Sequence, residues 1–259
     1  MGFADIFSCK GKVALVTGAA SGLGFVFAEA MAEAGADVAC ADIDEKGLTE
    51  VVESVTAKGQ GAIAIKCDVS KEAEVKDMVR RTVDAFGTLD ILFNNAGAGQ
   101  VPTPVHELDT DEWKQLIDVD LHGAFYCARE ALKVMVPKRS GKIIITSSVW
   151  GWTGSSVLQS CPAYNAAKGA LNTLTRELGV CYAPYGINVN GICPGFIKTK
   201  IGNNCSEDPE WLKQATPLVP MGRIGLPEEL KGLALLLASN ACSYMCGELI
   251  AVDGGYLAR

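Results

Sequence analysis

VTGAASGLG, residues 16–24, joins an apolar run to a helical pattern. The residues before it are typical of a buried strand, and the residues after it, 25–36, have the spacing of a helix. Gly18, Gly22 and Gly24 allow backbone amides to approach a pyrophosphate, and the start of a helix attracts anions. A tight turn that needs glycine only for its backbone is the alternative interpretation. The stretch predicts a strand–turn–helix unit that is a candidate nucleotide site.

The alternation of strand and helix continues outward to the end of the chain. Short runs rich in Val, Ile and Ala are separated by helical patterns, such as DVACAD before a helix at about 45–58 and KIIITSS before a helix at about 163–182. This order predicts an α/β fold, a single doubly wound Rossmann domain over residues 1–259, with about seven parallel strands and helices on both faces. The least regular stretch, about 198–225, follows a strand end and predicts a substrate loop.

Composition argues against several classes of function. A net charge of −7, from 23 Lys and Arg against 30 Asp and Glu, is unfavourable for a nucleic-acid surface. The ten cysteines form no C-x-x-C pair and there are two histidines, so we expect no metal site. The long uncharged runs contain proline or are rich in Ser and Thr, so we expect no membrane span. Because the sequence shows no signal peptide, we expect a cytoplasmic protein with reduced thiols.

An acidic residue ends the second predicted strand. Asp42 lies near the distance along the chain at which a carboxylate meets the ribose of a dinucleotide. A carboxylate there accepts hydrogen bonds from ribose hydroxyls and repels a 2′-phosphate, and Ser21 stands in the turn where an arginine would otherwise bind that phosphate. We therefore predict NAD rather than NADP as the cofactor. The alternative is a solvated carboxylate at a strand end.

Short motifs follow one another in a fixed order along the chain. They are TGAASGLG, NNAG at Asn94–Gly97, Ser148, YNAAK at Tyr164–Lys168, PG at Pro194–Gly195 and a closing VDGG. In this order and at these separations they resemble the short-chain dehydrogenase/reductase family over essentially the whole chain. The resemblance implies a Rossmann fold, a nicotinamide cofactor, and oxidation of a secondary alcohol or reduction of its ketone.

The YNAAK motif provides an acid/base pair. Tyr164 and Lys168 are four residues apart on a predicted helix, so their side chains share one face. An ammonium group favours the phenolate, most strongly where other charges are absent, and residues 143–167 contain no Asp, Glu, Lys or Arg. Tyr164 would then exchange a proton with the substrate while Ser148 holds the substrate oxygen by a hydrogen bond. The alternative is an ordinary exposed helix pair.

The resemblance also implies a set of cofactor contacts, in which Lys168 binds the nicotinamide ribose, Asp68 and Val69 lie near the adenine, and Thr199 lies near the nicotinamide amide. The whole set is Gly18, Ser21, Gly22, Leu23, Gly24, Asp42, Ile43, Asp68, Val69, Asn95, Ala96, Gly97, Tyr164, Lys168, Pro194, Gly195, Ile197 and Thr199. Structural alternatives for these residues are polar groups at strand ends, a turn, and a helix cap at Thr199.

The sequence departs from the family pattern at two places. Many relatives carry asparagine in a context like VNLxG, where this chain has Asp120 in DVDLHG. The family asparagine helps to hold a water that links the lysine to solvent. Asp120 is placed here among the catalytic residues. It either still binds that water, pairs with Lys168, weakens the effect of Lys168 on Tyr164, or is simply tolerated. The segment between Ser148 and Tyr164 is also longer than in many relatives. It predicts one wall of a substrate pocket.

Three aromatic residues are candidates for contact with the substrate. They are Trp150, Trp152 and Phe196. The two tryptophans offer an apolar or stacking surface, and their alternative roles are in the core or in a subunit contact.

The leading interpretation is an NAD(H)-dependent oxidoreductase for a small-molecule secondary alcohol or ketone. A polyol or sugar alcohol and a hydroxysteroid or other cyclic alcohol both remain open as substrates. The alternatives are a 3-oxoacyl thioester reductase and a nucleotide-binding regulatory protein without turnover. Reductases of acyl carrier proteins often carry arginine where this chain has Tyr185, so an acidic carrier is disfavoured. By family analogy we expect a homo-oligomer, a tetramer or dimer.

Overall fold

One parallel sheet organises the molecule, with the strand order β3-β2-β1-β4-β5-β6-β7. The strands are β1 (Val13–Thr17), β2 (Asp37–Asp42), β3 (Ala62–Lys66), β4 (Ile91–Asn94), β5 (Gly141–Thr146), β6 (Ile187–Pro194) and β7 (Leu249–Val252). These features come from a computed structural model that describes residues 2–199, 201 and 205–259. The predicted α/β doubly wound fold is confirmed. The strand order reverses between β1 and β4, and such a fold binds ligands in the crevice at that point.

Helices cover both faces of the sheet. Within the described residues the α-helices are α1 (Phe3–Phe7), α2 (Gly22–Glu33), α3 (Glu45–Ala57), α4 (Glu72–Phe86), α5 (Thr110–Ile117), α6 (Gly123–Lys138), α7 (Pro162–Tyr182), α8 (Pro209–Ala215) and α9 (Lys231–Ala238). A π-helical turn at Asp118–His122 joins α5 to α6. Part of the predicted substrate loop, residues 200 and 202–204, lies outside the described residues, and the part that is described includes α8.

Two apolar layers hold these elements together. Every residue of β1 is buried, as expected for a central strand of a parallel sheet that is covered on both sides. On one face, the ring of Phe27 from α2 stacks on Phe93 from β4, with ring centres 5.0 Å apart. On the other face, Met78 from α4 and Leu15 from β1 belong to a second buried cluster. The strand ends that carry the sequence motifs therefore project from a rigid support.

Two further findings concern membrane and metal chemistry. No helix among residues 2–199, 201 and 205–259 has the length and apolar character needed to cross a membrane. The same residues contain no group of three or more His, Cys, Asp or Glu side chains that could hold a metal ion. All ten cysteines are free thiols.

Candidate active site

A cavity of about 540 Å³ opens at the carboxyl ends of the strands. Every residue of the predicted cofactor set except Gly24 contributes to its lining. Its volume falls within the range of about 300–1,000 Å³ that is usual for ligand sites. The chain thus brings together, from six separate segments, the predicted cofactor contacts.

The glycine turn after β1 is shaped for close approach of a phosphate. Gly18 and Gly22 have φ angles of +67° and +55°, which other residues rarely adopt. A Cβ on Gly24 would lie 1.9 Å from the backbone oxygen of Gly18, so this residue packs the start of α2 against the turn. Ser21 is the N-cap of α2, yet its side chain does not cap the helix, and the first amides of α2 remain available to an anion. The turn therefore fits the pyrophosphate of a dinucleotide.

The threonine that ends β1 fixes the NNAG segment beside this turn. The Thr17 hydroxyl accepts hydrogen bonds from the backbone N–H groups of Asn95 and Ala96, both at 3.0 Å. The Asn95 amide donates in return to the Thr17 carbonyl oxygen at 3.0 Å. Gly97 then passes close to the ammonium group of Lys168, because a Cβ on Gly97 would lie 3.3 Å from Nζ. NNAG therefore forms a hydrogen-bonded wall between the glycine turn and Lys168.

Asp42 stands at the carboxyl end of β2, on the edge of the same cavity. Its carboxylate accepts hydrogen bonds from the backbone N–H groups of Ala20 and Asp44, both at 3.0 Å. These bonds hold a fixed negative charge beside the glycine turn. Ile43, the next residue, is 66 % exposed and also lines the cavity. The rim therefore presents one carboxylate and one apolar side chain where a ribose would lie.

Tyr164, Ser148 and Lys168 meet at the inner end of the cavity. Nζ of Lys168 lies 5.3 Å from the centre of the Tyr164 ring and donates to the carbonyl oxygen of Thr146 at 3.3 Å. The hydroxyl of Ser148, at the end of β5, accepts a hydrogen bond from the backbone N–H of Trp150 at 3.1 Å. The predicted helical spacing thus places the phenol and the ammonium group side by side.

Asp120 forms a buried ion pair with Lys168. Its Oδ2 lies 3.2 Å from Nζ of Lys168, and the side chains are 0 % and 4 % exposed. Its Oδ1 accepts a hydrogen bond from the backbone N–H of Ala98 at 2.7 Å. The pKa of Lys168 is raised: burial, the largest influence, lowers it, but the charges of Asp120 and Tyr164 outweigh burial. Of the roles open for Asp120, the structure shows pairing with Lys168.

The protonated form of Tyr164 is favoured in this arrangement. Burial is the main reason that the pKa of Tyr164 is raised above its ordinary value; Lys168 lowers it and Asp120 raises it further. A hydrogen bond with Ser148 also lowers the pKa. The sequence alone shows one cation, Lys168, beside one phenol, Tyr164, next to a stretch free of charge. The fold adds a carboxylate from a distant helix, so Lys168 does not act alone.

A smaller cavity of about 100 Å³, called the outer cavity below, adjoins the phenol of Tyr164. Trp150 and Phe196 line it, and the Trp150 ring stands edge-on to both Tyr164 and Phe196, with ring centres 6.1 and 5.9 Å apart. Trp152 is placed differently: it is 40 % exposed and is absent from the described lining of this cavity. The structure therefore separates the two tryptophans that the sequence treated alike.

Gln100 and Trp211 are among the residues of this cavity that were not found from the sequence. Gln100 caps the start of α7, where its Oε1 accepts from the N–H groups of Ala163 and Tyr164 at 3.0 and 3.1 Å. Trp211 from α8 packs edge-on against Phe196, with ring centres 5.6 Å apart. Gln100 follows the NNAG motif by three residues, which is a usable signal of proximity, but its bond to a helix 63 residues later has no local signature.

Comparison with known proteins assigns the class. The family model described as "Enoyl-(Acyl carrier protein) reductase" matches residues 18–257. A solved short-chain type dehydrogenase/reductase from Mycobacterium marinum superimposes with a TM-score of 0.94, is 36 % identical, and the match covers 98 % of this chain and 99 % of that one. The chain therefore belongs to the short-chain dehydrogenase/reductase family, whose members are oxidoreductases that use a nicotinamide cofactor.

Two curated relatives act on sugars or sugar alcohols according to their names. The sorbose reductase SOU1 of Candida albicans is 44 % identical over 256 residues, which cover 97 % of this chain and 89 % of the relative. A probable NADP-dependent mannitol dehydrogenase of Yarrowia lipolytica is 38 % identical over 253 residues, covering 96 % and 89 %. The predicted family is confirmed, and the relatives include an enzyme named for NADP.

Proposed function

We propose that this protein is an NAD(H)-dependent oxidoreductase that interconverts a compact secondary alcohol and its ketone. The observation that carries the proposal is the position of Tyr164, with Ser148, where the larger cavity meets the smaller one. A cofactor in the first cavity and an alcohol in the second would meet at the phenol. When bound, the nicotinamide accepts a hydride from the alcohol carbon or returns it to the ketone.

The side chains orient the substrate, transfer its proton and exclude water. Ser148 donates or accepts a hydrogen bond at the substrate oxygen and so orients the carbinol toward Tyr164. Tyr164 takes the hydroxyl proton during oxidation and gives it back during reduction. Lys168 stabilises the phenolate and holds the nicotinamide ribose, while Asp120 keeps Lys168 charged and in place. The aromatic wall of Trp150 and Phe196 excludes water from the reacting carbon.

NAD is the proposed cofactor because Asp42 holds a negative charge at the expected place of the ribose. A 2′-phosphate there would face a carboxylate, and the neighbouring Ile43 offers no positive charge. One relative is named as NADP-dependent, which makes the choice a direct experimental question.

A polyol or sugar alcohol is the preferred substrate class, ahead of a steroid. The outer cavity measures about 100 Å³, below the range of about 300–1,000 Å³ for sites that enclose drug-sized ligands. A compact hydroxylated chain or a single ring suits this volume. A 3-oxoacyl thioester is the second candidate, since the matching family model carries an acyl-carrier-protein reductase description.

The test is reduction of NAD⁺ by the purified protein with polyols, cyclic alcohols, hydroxysteroids and 3-hydroxyacyl thioesters, with NADP⁺ in parallel. Turnover of a compact alcohol with NAD⁺, lost in Tyr164→Phe, is expected. The variant should still bind NADH, which separates a lost proton transfer from a lost fold. NADH binding by the wild-type protein without turnover of any class would favour a regulatory binding protein instead.

The proposal extends to the setting of the enzyme. We propose a cytoplasmic homodimer or homotetramer whose thiols stay reduced. All ten cysteines are unpaired, and α6 and α7 expose the apolar side chains of Phe125 and Val180, which are 44 % and 77 % exposed. Exposed apolar side chains of this kind mark interaction surfaces when they adjoin one another. Light scattering on the purified protein tests the oligomer.

A further inference from the structure

The amide of Gln100 is held in one orientation beside the catalytic tyrosine. Its oxygen accepts from the backbone N–H groups of Ala163 and Tyr164 at 3.0 and 3.1 Å. Because only the oxygen of an amide can accept, these two bonds fix which way the group points. Nε2 is thereby directed away from the start of α7.

This Nε2 donor has no partner within the protein. It is buried, and none of the described residues offers it an acceptor. Gln100 lines both the nucleotide cavity and the outer cavity, so the donor belongs to the junction where the phenol of Tyr164 lies. Buried polar groups are almost always hydrogen-bonded in folded proteins, and an exception in a cavity wall indicates a ligand acceptor.

A second donor in the same wall has the same property. Nε1 of Trp150 is buried and lacks an acceptor among the described residues, and its ring is edge-on to Tyr164. Two N–H donors therefore accompany the phenol in a lining that is otherwise mainly apolar or small. A substrate with oxygen at the carbinol alone would leave at least one of them unpaired.

We propose that Gln100 is a specificity-determining residue whose Nε2 donates a hydrogen bond to a second hydroxyl of the substrate, close to the reacting carbinol. The proposal rests on the proposed function and defines its substrate class as a neutral diol or polyol. The lining of the outer cavity favours a hydroxyl over a carboxylate, because none of its described residues is charged. Among those described residues a carboxylate would find no counter-charge.

The substitution Gln100→Glu separates the Nε2 donor from the hydrogen bonds that the side-chain oxygen accepts. Gln100→Glu keeps an oxygen for the N–H groups of Ala163 and Tyr164 and replaces the donor with a second acceptor. Gln159→Glu is the matched control, since Gln159 lines the same cavity and its Oε1 accepts from Nε1 of Trp211 at 3.2 Å. Both variants add one negative charge to one cavity, and only the first removes the Gln100 donor.

The readout is the ratio of kcat/KM for 1,2- or 1,3-cyclohexanediol to kcat/KM for cyclohexanol, measured with NAD⁺ or NADP⁺. Effects on folding or on Tyr164 act on both substrates and cancel in the ratio. We expect the wild-type ratio to exceed about 10, and Gln100→Glu to lower it at least about 10-fold, because a site built around a hydroxyl rejects the analogue that lacks it. Gln159→Glu should leave the ratio within about 3-fold, well below that discrimination. If Gln100→Glu turns over neither substrate, Gln100→Met supplies the ratio without added charge.

The outcomes separate this proposal from the one on which it rests. Turnover of cyclohexanol and both diols with ratios near one in the wild-type protein overturns the role of Gln100 and leaves the dehydrogenase intact. An equal fall in the ratio in Gln100→Glu and Gln159→Glu also overturns the role of Gln100. A preference for 3-hydroxycyclohexanecarboxylate over the diols does the same. Turnover of no alcohol with either cofactor refutes the proposed function and this inference with it.

Discussion

Asp120→Asn tests the charge balance around Tyr164, the proposed acid/base. The amide keeps the acceptor for the Ala98 N–H group, which the carboxylate binds at 2.7 Å, and it removes one negative charge. That charge currently pairs with Lys168 and raises the pKa of Tyr164. The substitution should therefore make the phenolate easier to form.

The size of the effect follows from two distances. Nζ of Lys168 lies 5.3 Å from the centre of the Tyr164 ring and 3.2 Å from Oδ2 of Asp120, so Oδ2 is within about 8.5 Å of that centre. At that distance two unit charges interact by about 2 kcal/mol if the effective dielectric constant is about 20. This free energy corresponds to roughly a 30-fold change in the phenolate population at a fixed pH below the pKa of Tyr164.

The assay is kcat/KM for alcohol oxidation as a function of pH. In this direction the phenolate is the base, so the rate rises with pH as Tyr164 loses its proton, and the rising limb should move to lower pH in Asp120→Asn. Asp118→Asn is the control, because it removes a carboxylate from the same π-helical turn where the side chain is 53 % exposed and paired with His122. The control should leave the profile in place.

An unmoved profile, or one displaced to higher pH, would refute this reasoning. Displacement to higher pH would mean that Asp120 acts chiefly by keeping Lys168 protonated, so that its loss removes the cation as well. A matching shift in Asp118→Asn would show that the effect is a general one of surface charge.

Three further predictions concern the glycine turn, Asp42 at the end of β2, and the ion pair between Arg223 and Glu229. Gly24→Ala should lower the free energy of unfolding by about 3 kcal/mol and abolish NADH binding, because the added Cβ would lie 1.9 Å from a backbone oxygen. In the same chemical denaturation assay, Gly232→Ala on α9, where the Cβ meets open space, should raise it by about 0.5–1 kcal/mol. Asp42→Asn should raise the ratio of NADP⁺ to NAD⁺ turnover by about 10-fold or more, because the charge that repels a 2′-phosphate is lost; an unchanged ratio argues against this role. Glu229→Gln should lower the melting temperature at pH 7 but not near pH 2, because hydrogen bonds from Arg223 hold the pKa of Glu229 at about 2. The contribution of Glu229 to stability is therefore present above its unfolded pKa and is lost as the pH falls through its folded pKa. An equal fall in melting temperature at both pH values would contradict this.

Local patterns in the sequence predict the parts of this molecule that local physics determines. The glycine turn at 16–24 and the strand–helix alternation specify the sheet, because a buried parallel strand and an amphipathic helix each have a characteristic composition. Tyr164 and Lys168 are adjacent for an equally local reason, since residues four apart share a helix face. These features needed no knowledge of the rest of the chain.

Contacts between distant segments were beyond such reasoning. The contact of Gln100 with α7 has no marker in its own segment. The departure from the family pattern in DVDLHG marked Asp120, but it left pairing with Lys168 as one alternative among several. The pair forms because the helical turn that carries Asp120 packs against α7. The same limit explains the two tryptophans, which lie two residues apart yet differ in exposure, because a short 3₁₀ turn at Val149–Gly151 directs them apart. The raised pKa of Tyr164 depends on these contacts and so could not be read from YNAAK.

The π-helical turn at Asp118–His122 has a consequence for insertions and deletions. A π turn contains one residue more than the α turn it replaces, so loss of a single residue there would allow one regular helix from α5 through α6. Because a π turn takes up its extra residue locally, α5 and α6 would stay close to their present orientations, and only the side chains within the turn would change direction. Asp120 lies within this turn, so the deletion would move its carboxylate away from Lys168 while the buried face of α6 stays on the sheet. The number of residues between α5 and α6 is therefore as tightly constrained as their identity, and length variation among related chains should avoid this turn.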